Sequence, residues 1–482
     1  MKFISKTFRL LPLLFVVFAF NACSDDDDAT PPPMTTTPNI VELAASSADL
    51  TTLVTALQIA PGDLDGILTG SGPFTVLAPT NQAFQDLLDT DPTWNDLTDI
   101  PGDVLQQVLL NHVISADLTA ADLAAATSPY ASTNADGAGG ENLSIYFDTT
   151  GGVTFNGISS VIDGGADLDA SNGTVHIVDA VITLPSIVDH ASANGGLSEL
   201  VDALTDENLV GALQADGPFT VFAPTNDAFT NFGNPNQNAL SDILLNHVVG
   251  NTAALSTGLM NMYVPTLAQF DEGDSDPMDD PNLSLYINTD SGVTFNGGVD
   301  NGGADVVPGL IDIVATNGVI HVVDGVIDLP TVVNHAIANP GLSSLVAALT
   351  EADGSSTDPM LIPTLSGDGP FTVFAPVNDA FQALLDSDIA WDDLTDIPDD
   401  LLNSVLLHHV LNDNIRAGDL SDGVMPATLE GDMITINLPQ GENPMITDSS
   451  GNMGIEITAT DVQGINGVAH VINGVLIPDT TN

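Results

Sequence analysis

Basic residues are almost missing from this chain. Lys2, Lys6, Arg9 and Arg416 stand against 65 Asp and Glu in 482 residues, a formal net charge of −61. A surface of that sign repels phosphates, which excludes nucleic acid as a partner, and it repels anionic membrane surfaces. Ion pairs have almost nothing to form with. Self-repulsion is left to counterions acting within a Debye length of ~10 Å at 0.1 M salt, so stabilisation by salt or Ca²⁺ is expected. Cysteine is nearly absent as well: Cys23 is alone, so no intrachain disulfide can form. Aromatic residues make up 5% of the chain, and aliphatic side chains must fill the cores, which 43% hydrophobic content permits. Catalytic signatures are lacking too. There is no G-x-S-x-G, H-E-x-x-H, C-x-x-C or phosphate-binding G-x-x-x-x-G-K-[ST]. Carboxylates are so numerous that no pair stands out as a general acid and base. An enzyme is not expected, and no organic cofactor is implied.

The first residues read as an export signal. Met1 to Arg9 carries three positive charges, and Leu10 to Phe20 is apolar but too short for the ~20 residues that span a bilayer. A signal peptide over 1–22 is expected, with Cys23 as a lipidated first residue. The order Phe20-Asn21-Ala22-Cys23 resembles a bacterial lipobox, with Phe20 and Asn21 in place of the usual Leu and small residue. The acidic run Asp25 to Asp28 resembles the signal that sends Bacteroidota lipoproteins to the cell surface; a solvated acidic linker is the plainer alternative. Residues 23–38 end in a Pro/Thr-rich stretch, ATPPPMTTTP. Extended at ~3.1 Å per residue, Ser24 to Pro38 make a tether of roughly 45 Å. The expected location is the outer membrane, lipid-anchored and surface-exposed, with the membrane met only through the anchor.

Three blocks then recur in constant order. The first is GPFTVLAPTNQAF from Gly72, GPFTVFAPTNDAF from Gly217 and GPFTVFAPVNDAF from Gly369. The second is LLNHV from Leu109, LLNHV from Leu244 and LLHHV from Leu406. The third is NGTVHIVDAVI from Asn172, NGVIHVVDGVI from Asn317 and NGVAHVINGVLI from Asn466. The period is about 150 residues, the size of a domain and far beyond the ~20–50 of a solenoid repeat. Domains are expected at 39–184, 185–329 and 330–482, joined only by a Leu-Pro step, as a semi-rigid string.

Local patterns place the blocks on elements. The first block alternates as a strand, with Pro224 as a stop, and Asn81, Asn226 and Asn378 (with Thr225) as caps of the helix that follows. In the second block His112, His247 and His409 complete an i, i+4, i+7 stripe with leucines. A lone His on an apolar face is most simply a hydrogen-bonded core residue. A metal site would need His176, His321 and His470 of the third block to approach it. Alternating stretches at 143–157, 283–297 and 433–446 read as β-hairpins. An acidic loop in the middle unit (Asp271, Asp274, Asp276, Asp279, Asp280) lacks the EF-hand order and reads as solvated, with a weak Ca²⁺ site as the alternative.

These blocks resemble the fasciclin (FAS1) domain family, three times over and across nearly all of the chain after residue 38. The resemblance implies an α+β fold, each domain a β-sandwich wedge with packed helices. It implies non-catalytic adhesion, or contact with an extracellular protein or polysaccharide. In animal members an Asp-Ile pair just before the last block is implicated in integrin recognition. Here Asp167-Leu168, Asp312-Ile313 and Asp461-Val462 stand in that register, and each Asp could equally cap the turn that follows. Some fasciclin-like domains carry carotenoids in apolar crevices, so an apolar carrier is an alternative function. A cation-binding acidic scaffold is another.

Overall fold

The computed structural model describes residues 37–271, 280–355 and 360–479, and Pro38–Asn482 forms one compact unit. The leader, Cys23, the acidic run and the tether up to Thr36 lie outside the described residues, as do Asp274, Asp276 and Asp279 of the acidic loop.

Each repeat is built on a parallel pair. The first-block strands Phe74–Pro79, Phe219–Pro224 and Phe371–Pro376 lie beside the closing strands Gly173–Val178, Gly318–Val323 and Gly467–Ile472. A short strand after the second block flanks one side, and an edge strand flanks the other: Leu168–Ala170, Ile313–Ala315 and the longer Ile455–Gly464. The pair has to lie close. A Cβ on Gly173 would sit 1.9 Å from the Phe74 carbonyl oxygen, so the Asn-Gly of the third block is steric as much as turn chemistry.

The first-block strand is buried on both faces. Val221 and Ala223 face the helices, while Phe222 faces a second sheet and packs on Phe295 with ring centroids 4.0 Å apart. Each repeat therefore has two cores, one between helices and first sheet and one inside the sandwich, and the second repeat adds a smaller cluster around Ile243 and Leu283. In the first two repeats the second sheet holds the expected hairpins, Asn142–Asp148 with Thr154–Phe155 and Asn282–Asn288 with Thr294–Phe295, and each first strand also pairs with one the sequence reading did not place, in a second hairpin: Tyr130–Asp136 and Met262–Gln269. In the third the long edge strand runs on into Met445–Thr447 and Thr435–Asn437, which makes one six-stranded sheet.

The asparagines of the first block do something other than expected. Thr80 and Thr225 cap the helices that follow, and Val377 leaves its helix without a side-chain cap. Asn81, Asn226 and Asn378 reach across to a different helix. Each accepts from the N–H of Thr52, Glu199 or Ser344 and donates to the carbonyl of Ala48, Gly195 or Pro340. They cap the second helix of the repeat from outside it, which no local spacing reveals.

The Leu-Pro steps lead into packed junctions. Opening helices Ile187–Ala193 and Val332–Ala338 dock on the hairpin of the preceding repeat. At the first junction Tyr130 meets Tyr146 (5.2 Å) and His190 (5.7 Å), and the Ser144 hydroxyl accepts from the Val314 N–H at 2.9 Å. At the second, Tyr263 meets Tyr286 (4.7 Å) and His335 (5.4 Å), and the Ser284 hydroxyl accepts from the Gln463 N–H at 3.0 Å. All four tyrosines of the chain are used in this way.

Candidate functional site

The second-block histidines sit just past the ends of helices Gly102–Asn111 and Leu240–Asn246, and at the C-cap of Asp399–His408. In each, Nδ1–H donates to the carbonyl four residues back: Val108 for His112, Ile243 for His247, Val405 for His409, at 2.7–2.8 Å. Nε2 accepts a backbone N–H from beyond the closing strand: Ile182, Ile327 or Leu476, at 2.8–2.9 Å. The ring ties the helix end to the chain's exit, and burial pushes each imidazole down to about 4. Both nitrogens are spent on backbone.

The third-block histidines have the opposite tautomer. His176, His321 and His470 accept at Nδ1 from the N–H of Asp167, Asp312 and Asp461, at 3.3 Å in each case. Their Nε2–H groups donate to the carbonyls of Leu118, Ala254 and Ile415, at 2.9 Å. Desolvation holds His321 and His470 below the usual histidine value. Among the described residues no group of three His, Cys, Asp or Glu could hold a metal ion.

The three Asp residues before the third block share one unusual geometry. Asp167, Asp312 and Asp461 have φ of 54°, 60° and 59°, in the left-handed region that Asp tolerates better than most. Their carboxylates accept from the N–H of Ala120, Ser256 and Ala417 at 2.7 Å, each at the start of a helical turn. Each Asp thus caps a distant turn and anchors a buried His; it does not cap the Asn-Gly turn that follows it. The aliphatic partners differ. Ile313 and Val462 are 2% and 3% exposed, packed inward, and offer no apolar contact outside, whereas Leu168 is half-buried beside an exposed Asp167. Only the first repeat presents both members of the pair at the surface.

The strand that carries the pair is also covered in two repeats. Val314 and Gln463, two residues after Asp312 and Asp461, bond to the serines of the preceding hairpin. The same position in the first repeat is Asp169, which is exposed. His190 and His335 donate from Nε2 to the carbonyls of Val314 and Gln463, while position 43 of the first repeat is Leu.

Two residue sets escaped the sequence reading. Asn172, Asn317 and Asn466 donate two bonds each to the loop before the first block and accept from the opening helix, at Ile40, Ile187 and Val332. Their signal was the invariant Asn-Gly, read as a turn. The junction histidines His190 and His335 had a signal in register, DHA and NHA after each Leu-Pro step, but nothing local shows a neighbour 124 or 128 residues away.

The fasciclin domain family model matches residues 48–185, 195–330 and 340–478. Human periostin is 28% identical over 425 residues, 85% of this chain and 44% of periostin. Pig transforming growth factor-beta-induced protein ig-h3 is 27% identical over 315 residues, covering 62% of this chain and 41% of that protein. A Synechocystis protein, sll1483, is 37% identical over 148 residues, 31% of this chain and 73% of its own. This chain thus spans less than half of periostin. Among solved structures, a FAS1 domain pair from the insect cell adhesion molecule Fasciclin I is 20% identical with a TM-score of 0.37, over 59% of this chain and 97% of that one. With the family model matching three times over most of its length, this chain belongs to the fasciclin domain family.

Proposed function

We propose that this protein is a non-catalytic extracellular contact protein, held at the bacterial surface by a lipid on Cys23 and touching matrix protein or polysaccharide through its fasciclin repeats. One observation carries the reading: three fasciclin domains fill the chain, and the block histidines that recur in all three spend both ring nitrogens on backbone, while His408, which only the third repeat has, meets the side chains of Thr428, Ser449 and Glu430. Fasciclin domains are associated with adhesion and extracellular-matrix proteins. The acidic surface makes contact with acidic polymer depend on bridging cations such as Ca²⁺.

The contact we favour lies on the first repeat at Asp167 and Leu168, the pair whose strand no neighbouring repeat covers among the described residues. The experiment is binding of the unit from Pro38 onward to producer cells, algal or host cells and their extracted polysaccharides, with Ca²⁺ and with chelator. Leu168→Ser leaves the Asp167 hydrogen bonds intact and is expected to weaken saturable binding about tenfold. Saturable binding untouched by Leu168→Ser would move the contact elsewhere, and no saturable binding to any surface would sink the adhesion reading. The carrier alternative gains little support. The apolar crevices beside Trp94 and Trp391 measure 190 and 160 Å³, too small to bury a long apolar molecule when even drug-sized ligands occupy ~300–1,000 Å³.

A further inference from the structure

The two junctions are alike in their Tyr-His packing and unlike in one place. At the first, a crevice of 270 Å³ opens between the turn Asn156 to Ile158, the segment at Thr183 and Pro185, and the helix face of Asp189, Ser192 and Ala193. At the second, the same space is filled from within. The pairs Phe155↔Ser159 and Phe295↔Ala304 show that the turn is five residues longer in the second repeat. The extra residues are Val299 to Gly303, and Asn301 sits in the gap. Its Nδ2 donates to the carbonyls of Asn296 and Asn334 at 2.9 Å, and its Oδ1 accepts from Asn334 Nδ2 at 3.0 Å.

That internal plug states what the open crevice lacks. The residues matching Asn296 and Asn334 are Asn156 and Asp189, both on the crevice wall. The plug supplies donors to carbonyl acceptors and an acceptor to a side chain. The open crevice offers those carbonyls, the hydroxyl-bearing Ser192 and Thr183, and the Asp189 carboxylate, which spends only Oδ2 on its own helix cap. Ile158, Pro185 and Ala193 add apolar wall. No basic side chain lines it, so an anion is disfavoured. Asn156 Nδ2 is buried without a partner, but so is Asn296 Nδ2 in the plugged repeat; that amide belongs to the turn and not to a ligand.

We propose that this crevice is a saccharide subsite, taking one uncharged pyranose residue of an extracellular polysaccharide. A pyranose brings several hydroxyls, each both donor and acceptor, on a ring whose C–H face suits an apolar wall. This rests on the contact reading above and gives it a second, separate surface.

Saturation-transfer NMR on the unit from Pro38 onward tests it, with methyl glycosides of glucose, galactose, mannose and N-acetylglucosamine as probes and methyl glucuronide as the charged comparison. At least one neutral glycoside is expected to receive saturation, and the glucuronide none. Ser192→Phe, which fills the crevice, is expected to cut the signal at least fivefold. Ile337→Phe, the matching position at the plugged junction, is expected to leave it unchanged. Should Ser192→Phe misfold, Asp189→Asn serves: Asn334 already caps the second opening helix in this way. It is expected to keep the fold, weaken neutral glycosides severalfold and admit the glucuronide. Absence of transfer to every neutral glycoside, or equal signal in wild type, Ser192→Phe and Asp189→Asn, overturns the proposal. If cell binding persists while glycoside transfer is absent, the subsite falls and the contact function stands. If both are absent, the contact reading fails as well.

Discussion

A buried imidazole that donates at one nitrogen and accepts at the other has no room for a second proton. His247 is such a group: a proton on Nε2 would break the bond from Ile327 and leave a charge in the core. Burial puts His112, His190, His247, His335 and His409 at about 4 in the folded chain, against an ordinary 6.5. Between those values the unfolded chain binds more protons than the folded one. This histidine contribution is therefore full above about pH 6.5, falls as pH drops toward 4, and changes no further below. Each unit of depression weighs about 1.4 kcal/mol per histidine. Urea unfolding at pH 7, 6 and 5, in enough salt to quiet the carboxylates, should show the decline, and a flat profile would refute it. His247→Phe keeps the volume but orphans the Ile327 N–H. It should cost about 1–3 kcal/mol and make the pH slope of the second repeat shallower by one group. At this scale the sequence was legible where a stripe carried the message, as with the His at Leu105-Leu109-His112. It was illegible where a side chain acts across the repeat, as with Asn81 and Asn172.

Elements carry the next lesson, because the junctions rest on pairs no single repeat contains. Ser284 lies on a hairpin of the second repeat, and its hydroxyl is the acceptor for the Gln463 N–H of the third. Ser284→Ala leaves that N–H buried and unpaired, at a cost of about 1–3 kcal/mol. Tyr263→Ala removes a ring packed on Tyr286 and His335 and the bond from its hydroxyl to the His335 carbonyl, for about 3–5 kcal/mol. Hydrogen exchange is the readout. Protection of Val332–Ala338 should fall in both variants while Ile187–Ala193 keeps its own, and equal loss at both helices would mean the junctions are not independent. The strands, hairpins and block helices could be read from periodicity and turn residues. The docking could not: Tyr146 and Tyr286 read as ordinary alternating strand residues until a second repeat is laid against them. Ile313 and Val462 illustrate the same blind spot. Register showed an Asp-aliphatic pair, but only tertiary packing shows which way the aliphatic side chain points.

For the whole molecule, one charge sign sets the terms. The unit from Pro38 onward holds 61 acidic residues and a single basic one, Arg416. Its described ion pairs are all histidine–carboxylate contacts, at 3.6–3.9 Å. Desolvation works against a charge on His321 and His408, so those two pairs give little relief. Repulsion among surface carboxylates is thus opposed only by packing and by counterions. Many carboxylates accept local backbone or hydroxyl hydrogen bonds, which hold Asp91, Asp99, Asp122, Asp148 and Asp393 below the usual carboxylate range. Those five stay charged to lower pH than an ordinary carboxylate. Salt is the gentler lever. Raising NaCl from about 10 mM to 0.5 M shortens the Debye length from ~30 Å to under 10 Å. The melting temperature is expected to rise by at least about 5 °C, given ~2–4 °C per kcal/mol for domains of this size. Ca²⁺ at millimolar concentration should match that rise at far lower ionic strength if it binds between neighbouring carboxylates, and should do no more than NaCl at equal ionic strength if screening is all that matters. A melting temperature indifferent to both would mean that packing at the cores and junctions leaves charge no part in the balance.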